Sequence, residues 1–151
     1  MIALLVGSFF FIGVFTYYNF KRQNQNYHEN RLLRKEASTL SSIRYYIQSH
    51  PKEITSKYDI KSLFKNKIHE WEDVHSLDIA IYDLEGELIL YSNEKLSIEE
   101  VISGTINQSI LEELTNQKIR IKQRLNHQGL DYLNSYQYIF DLEGKPIAII
   151  S

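Results

Sequence analysis

The first eighteen residues, Met1 to Tyr18, carry no charge, and no other stretch restricts the folding of this chain as much. They read MIALLVGSFFFIGVFTYY. A helix this apolar on all sides must be buried in a core or in a bilayer, because water leaves its surface unsolvated. At 1.5 Å rise per residue, eighteen residues reach about 27 Å, close to a hydrocarbon core of roughly 30 Å. Tyr17, Tyr18 and Phe20 close the run, where aromatic rings favour the interface, and Lys21 and Arg22 follow. No basic stretch precedes the run and no small-residue cleavage site follows it, which distinguishes it from a cleaved signal peptide. The expectation is a transmembrane helix over residues 1–20 and a water-exposed domain over residues 21–151. Lys21 and Arg22, taken alone, place that domain on the cytoplasmic side; basic residues ahead of Met1 in a longer chain would remove that preference.

The domain is long enough to bury a single core. A net charge of -2 argues against a nucleic-acid partner, which usually meets a basic excess. Cysteine is absent, so disulfides, thiolate zinc sites and a cysteine nucleophile are excluded. Eleven tyrosines and seven phenylalanines are many for this length, and most are expected in the sheet and core, where rings supply buried area.

From Lys21 no glycine or proline occurs before Pro51, which ends the helix. Leu33, Ala37, Leu40, Ile43 and Ile47 recur at spacings of three and four, one helical stripe. The periodicity predicts a long helix over residues 21–50 that continues the membrane segment. The stripe suits packing on the domain itself or pairing with a second copy as a homodimer. Ile60 to Val74 predicts a second helix, with Leu63, Phe64, Ile68 and Trp71 at helical spacing. Leu77 to Asp83 and Glu87 to Ser92 are short β-rich runs joined by Asp83-Leu84-Glu85-Gly86, a hairpin. Ile98 to Gln117 suggests one or two short helices broken at Gly104. Lys118 to Leu125, Asp131 to Phe140 and Lys145 to Ile150 read as three further strands. The last two flank Asp141-Leu142-Glu143-Gly144, so the DLEG turn occurs twice. The fold class is α+β: a transmembrane helix continuing into a long helix, packed on a five-stranded antiparallel sheet over residues 77–151.

This order of parts resembles the extracytoplasmic sensor region of a bacterial two-component sensor histidine kinase, of the PAS-like PDC or Cache type and Bacteroidetes-like in character. The resemblance rests on the membrane helix running into NYHENRLLRKEASTLSSIRYYI and on two D-x-x-G hairpins, and it spans essentially the whole chain. It implies an input domain facing the periplasm from the inner membrane. It implies helices packed on the sheet, with a pocket for a small-molecule ligand on the sheet face opposite the long helix. It also implies a second membrane helix and a cytoplasmic kinase beyond Ser151. The sensor regions of chemoreceptors and diguanylate cyclases share the pattern, and a membrane-tethered envelope interaction module is a separate reading of the same features.

No nucleophile elbow, glycine-rich phosphate loop or cofactor fingerprint is legible, so neither enzymatic activity nor a cofactor is expected. His28-Glu29 and His69-Glu70 lack the proline of a phospho-acceptor context. In HEWEDVH, His69 and Asp73 share a helix face, but a solvated helix end accounts for the stretch and no metal is expected. Asp83 and Asp141 suit turn capping better than catalysis. The acidic residues between Asp83 and Glu100 suit a solvated surface. Candidate ligand-binding residues are Arg120, Tyr132, Tyr136 and Tyr138. Alternation puts Tyr136 and Tyr138 on one strand face, and Arg120 would supply a clamp for a carboxylate there.

Overall fold

Between Gly13 and Pro51 the chain has neither glycine nor proline, so nothing interrupts the hydrogen-bond ladder of a helix. The computed structural model describes residues 2–50, 54, 56–93, 103–117, 120–127 and 129–151. In it the first element is a single helix, α1 (Ile2–Ser49), of 48 residues. There follow α2 (Lys57–Phe64), α3 (Ile68–His75), β1 (Ala80–Tyr82), β2 (Leu88–Tyr91), α4 (Gln108–Gln117), β3 (Ile121–His127), β4 (Leu130–Phe140) and β5 (Pro146–Ile150). The chain divides into two units, residues 1–37 and 38–151.

In the first unit, Val6, Phe9, Phe10, Phe11, Ile12 and Phe15 are all exposed, Phe11 by 77%. Among the described residues, however, no helix is long and apolar enough to cross a membrane, which departs from the expected transmembrane helix over residues 1–20. The side chains of Met1 to Leu5 lie outside the described residues. Without them the apolar run from Val6 to Tyr18 rises only about 20 Å, short of a hydrocarbon core.

In the second unit the strands form one sheet in the order β2-β1-β5-β4-β3, and every neighbouring pair is antiparallel. The expected α+β class with a five-stranded antiparallel sheet is what the chain adopts. Side chains alternate across the sheet. Ile79, Ile81, Ile139, Ala148 and Ile150 meet Ile43 and Ile47 of α1, Ile60 and Phe64 of α2, and Ile68 and Trp71 of α3. Ala80, Tyr82, Ile121, Tyr136 and Ile149 face the other way and meet Ile106 and, from α4, Ile110 and Leu114. On the first face Phe64 and Trp71 stack edge to face with centroids 5.5 Å apart, and Tyr46 lies 5.8 Å from Trp71. Such pairs add to the area they bury.

Two helical expectations change. Ile43 and Ile47 are buried and Leu40 is half-buried, but Leu33 and Ala37 are exposed. Leu33 and Ala37 belong to the first unit, whereas Leu40, Ile43 and Ile47 belong to the second with the sheet. The second helix is two helices. A capping box starts α2: Ser56 Oγ accepts from the Asp59 amide and the Asp59 carboxylate accepts from the Ser56 amide, at 3.4 and 2.9 Å. It ends at Lys65-Asn66-Lys67, which offers nothing apolar to bury, and α3 begins anew at Ile68. The strands β1 and β2 are also shorter than their apolar runs. Of the stretch expected to be helical from Ile98, residues 98–102 lie outside the described residues, as do Lys118 and Ile119 of the strand expected to start there.

The two DLEG turns are built alike. Asp83 Oδ1 accepts from the amides of Glu85 and Glu87 at 3.1 and 2.7 Å, and Asp141 Oδ1 accepts from those of Glu143 and Lys145 at 2.9 and 2.8 Å. Gly86 and Gly144 close the turns at φ +87 and +81, backbone that L side chains rarely adopt. Only the first turn is inside the fold, since Asp83 is 9% exposed and Gly86 O accepts from the Ile106 amide. Asp83→Ala should therefore lower the unfolding free energy by about 1–3 kcal/mol, because two amides lose their acceptor where water does not readily replace it. Asp141→Ala should cost less than half as much, and Asn at either position should retain most of the stability. Urea denaturation followed by Trp71 fluorescence gives the comparison; equal losses at both turns would contradict it.

Candidate ligand face of the sheet

Pairing register places the candidate residues. Ile121 of β3 lies opposite Tyr136 of β4, Gln123 opposite Asn134, and Leu125 opposite Tyr132. Ile121 and Tyr136 belong to the core beneath α4, so by alternation Gln123, Asn134, Leu125 and Tyr132 continue the same face. Tyr138 packs against that core too. The structure thus brings Tyr132, Tyr136 and Tyr138 together. Tyr136 is completely buried and the other two are half-buried. Asn134 Nδ2 donates to Tyr136 Oη at 3.4 Å. Arg120 immediately precedes β3 and lies outside its paired residues, so the register assigns it to neither face.

Two further residues were not legible as site residues. Tyr91 ends β2 opposite Ala80, and Ala80 exchanges two backbone hydrogen bonds of 2.9 Å with Ser151. Tyr91 packs on the α4 face of the sheet. Among the described residues its buried Oη has no hydrogen-bond partner, and neither has the buried Gln123 Oε1. A buried polar atom left unpaired costs about 1–3 kcal/mol, so two on one sheet face are an exception that calls for a cause. Burial, then the neighbouring Asp78 and Glu72 carboxylates and the Tyr132 phenol, push the Tyr91 hydroxyl up to about 12. Tyr132, a residue of β4, is among the groups that act on it. In the sequence Tyr91 is only the end of the run LILY; its role depends on which strands become neighbours. Gln123 carried a signal, since it shares the parity of Ile121, but a lone glutamine on a strand with one wet face reads as solvent-facing.

A groove of about 470 Å³ lies elsewhere, between the start of α2 and the first DLEG turn, with Ile54, Ile60, Leu84 and Ile147 in its walls and Glu85 and Lys145 beside them. Among the described residues no group of three or more His, Asp or Glu side chains is placed to hold a metal ion. In HEWEDVH, His69 Nδ1 lies 3.8 Å from Glu72 and His75 Nε2 lies 3.2 Å from Ser42 Oγ of α1. No protein-family model matches the sequence, and no curated protein aligns with it significantly.

The raised Tyr91 pKa fixes the sign of a pH effect. The folded state holds the phenolic proton more tightly than the unfolded chain, whose tyrosine titrates near 10.0. The contribution of Tyr91 to stability is therefore complete below pH 10 and is lost as pH rises through about 12. Tyr91→Phe should flatten the stability profile in that window and, at neutral pH, raise the unfolding free energy by up to about 1 kcal/mol by removing an unpaired hydroxyl. Denaturation midpoints between neutral pH and pH 12 provide the check, with tyrosinate absorbance reporting one late-titrating phenol; an unchanged profile would contradict it.

Proposed function

We propose that this chain is the input region of a membrane-bound signalling protein, in which a small molecule on the tyrosine face alters the sheet and α1 carries the change to the membrane. The observation that carries this reading is α1 itself. One helix bears exposed phenylalanines near its start and, near its end, Ile43 and Ile47 in the sheet core. A helix joined to a packed core in this way is suited to pass on a shift between two packings, provided a ligand favours one of them. The exposed Val6, Phe9, Phe10, Phe11, Ile12 and Phe15 support an anchoring role, because so much clustered apolar surface is unfavourable in water. Met1 to Leu5 would supply the length that the described run lacks. The absence of a glycine–proline interruption and the twin D-x-x-G hairpins agree with the PAS-like pattern, in which a histidine-kinase output follows and the sensor faces the periplasm. Exposed Leu33 and Ala37 are the positions through which α1 would pair with a second copy.

The test is partition and output together. Expressed in bacteria, the whole chain should remain with membranes after alkaline carbonate extraction, whereas replacing Phe9, Phe10, Phe11 and Phe15 by Ser should release it. Fused in frame to a histidine-kinase output through a second membrane helix, it should give autophosphorylation that changes when Ile43 or Ile47 is replaced by Ala. A wild-type chain that washes free of membranes, or a fused kinase indifferent to both substitutions, would rule the reading out.

A further inference from the structure

In each DLEG turn one aspartate oxygen accepts two amides of the turn, which leaves the second oxygen over. At Asp141 that oxygen belongs to a half-buried side chain. At Asp83 it belongs to a side chain nine-tenths buried, and no hydrogen bond reaches Oδ2 among the described residues. A carboxylate withdrawn this far from water is unfavourable unless a cation or further donors complete it.

Asp83 lines the groove of about 470 Å³ at the start of α2. The groove opens where the pairing of β1 with β5 ends, at Tyr82 and Ile149. The chain turns away at Asp83, while β5 extends back to Pro146 without a β1 neighbour. Ile60 and Ile147, both buried, form the apolar wall with Ile54 and Leu84. Glu85 and Glu87 stand at the groove with Asp83, and Lys145 is the only cationic side chain among its described lining residues. Three carboxylates against one ammonium leave an excess of negative charge beside an aliphatic wall.

These neighbours narrow what fits. A metal ion does not, because among the described residues no three acids are placed to hold one. An anion would meet Lys145 but also three carboxylates. A neutral aliphatic molecule would cover the wall and cut Asp83 off from water with no charge to balance it. An ammonium on a branched aliphatic body satisfies both parts: its N–H groups donate to the carboxylates and its body covers the isoleucines.

We propose that the groove between the first DLEG turn and α2 binds a primary alkylammonium, with the charged head on Asp83 Oδ2 and the Glu85 carboxylate and the aliphatic tail against Ile60 and Ile147. Ile60 and Ile147 belong to the isoleucine core, so the site is separate from the tyrosine face and independent of the sensor reading.

3-Methylbutylamine, 3-methylbutanol and 3-methylbutanoate share one branched carbon skeleton and differ in the charge of the head. With the full chain in micelles of a non-ionic detergent, NMR of isoleucine methyl groups follows each addition. The amine should shift the signals of Ile54, Ile60 and Ile147 in a saturable way, with those of Ile106 and Ile110 beneath α4 unmoved. The alcohol should bind at least about tenfold more weakly, and the acid should not bind. Asp83→Asn keeps an acceptor for the turn amides and removes the charge, so it should weaken the amine about tenfold. Glu85→Gln, at an exposed position, should weaken it about threefold, and Lys145→Gln should tighten it by about as much. Asp141→Asn, the same substitution in the twin turn, should leave binding unchanged. Equal shifts with the alcohol or the acid, an affinity that Asp83→Asn and Glu85→Gln leave intact, or no saturable shift with the amine would overturn the proposal. A loss of binding in Lys145→Gln would do so too, since it would mark a ligand with a carboxylate of its own.

Discussion

Everything in the second unit depends on a sheet whose central strands are buried on both sides. β1 is buried at every position, and β5 is buried from Ile147 to Ile150. Two short strands covered on both faces cannot be held by a single layer, so helices are required above and below. The end of α1, with α2 and α3, covers the isoleucine side, and α4 with Ile106 covers the tyrosine side. A slip of one residue between β1 and β5 would exchange Ile81 with Tyr82 and put rings into a space shaped for branched aliphatic chains. The register is therefore set by packing on both faces at once. The DLEG turns fix the two hairpins β1–β2 and β4–β5 in the matching phase.

This explains what was legible in the residues beforehand. The long helix could be read because nothing between Gly13 and Pro51 breaks it. The hairpins could be read because Asp and Gly occupy turn positions that only those residues serve well, and the structure gives both turns the same hydrogen bonds. The tyrosines of β4 could be placed on one face because alternation is local. The split between α2 and α3 was harder to see, since Ile60, Phe64, Ile68 and Trp71 keep a helical spacing straight through Lys65-Asn66-Lys67. The stripe on α1 was legible in part: Leu40, Ile43 and Ile47 pack on the sheet, and Leu33 and Ala37 are exposed.

The site was less legible than the fold for a different reason. Arg120 was chosen for its chemistry, and it lies one residue before β3, where alternation along the paired strand does not fix the face it takes. Tyr91 was passed over because its relation to Tyr132 exists only once β2, β1, β5 and β4 stand in that order. Local pattern reports faces; it does not report which distant strands share them.

The two faces differ in what their polar content can do. The isoleucine face closes on aromatic rings and aliphatic chains, and its stability follows from buried area and from the contacts between rings. The tyrosine face encloses phenols and amides whose hydrogen-bonding capacity exceeds what the surrounding side chains supply. If stability were the only demand, Phe and Met would fill the positions of Tyr91 and Gln123 with similar volume and no unpaired oxygen. Retaining a hydroxyl and an amide there lowers the stability of the empty protein and leaves a gain available to whatever completes those bonds. That difference between empty and completed states is the free energy an input domain would have for moving a helix such as α1, since a ligand shifts an equilibrium only by its differential affinity for the two states.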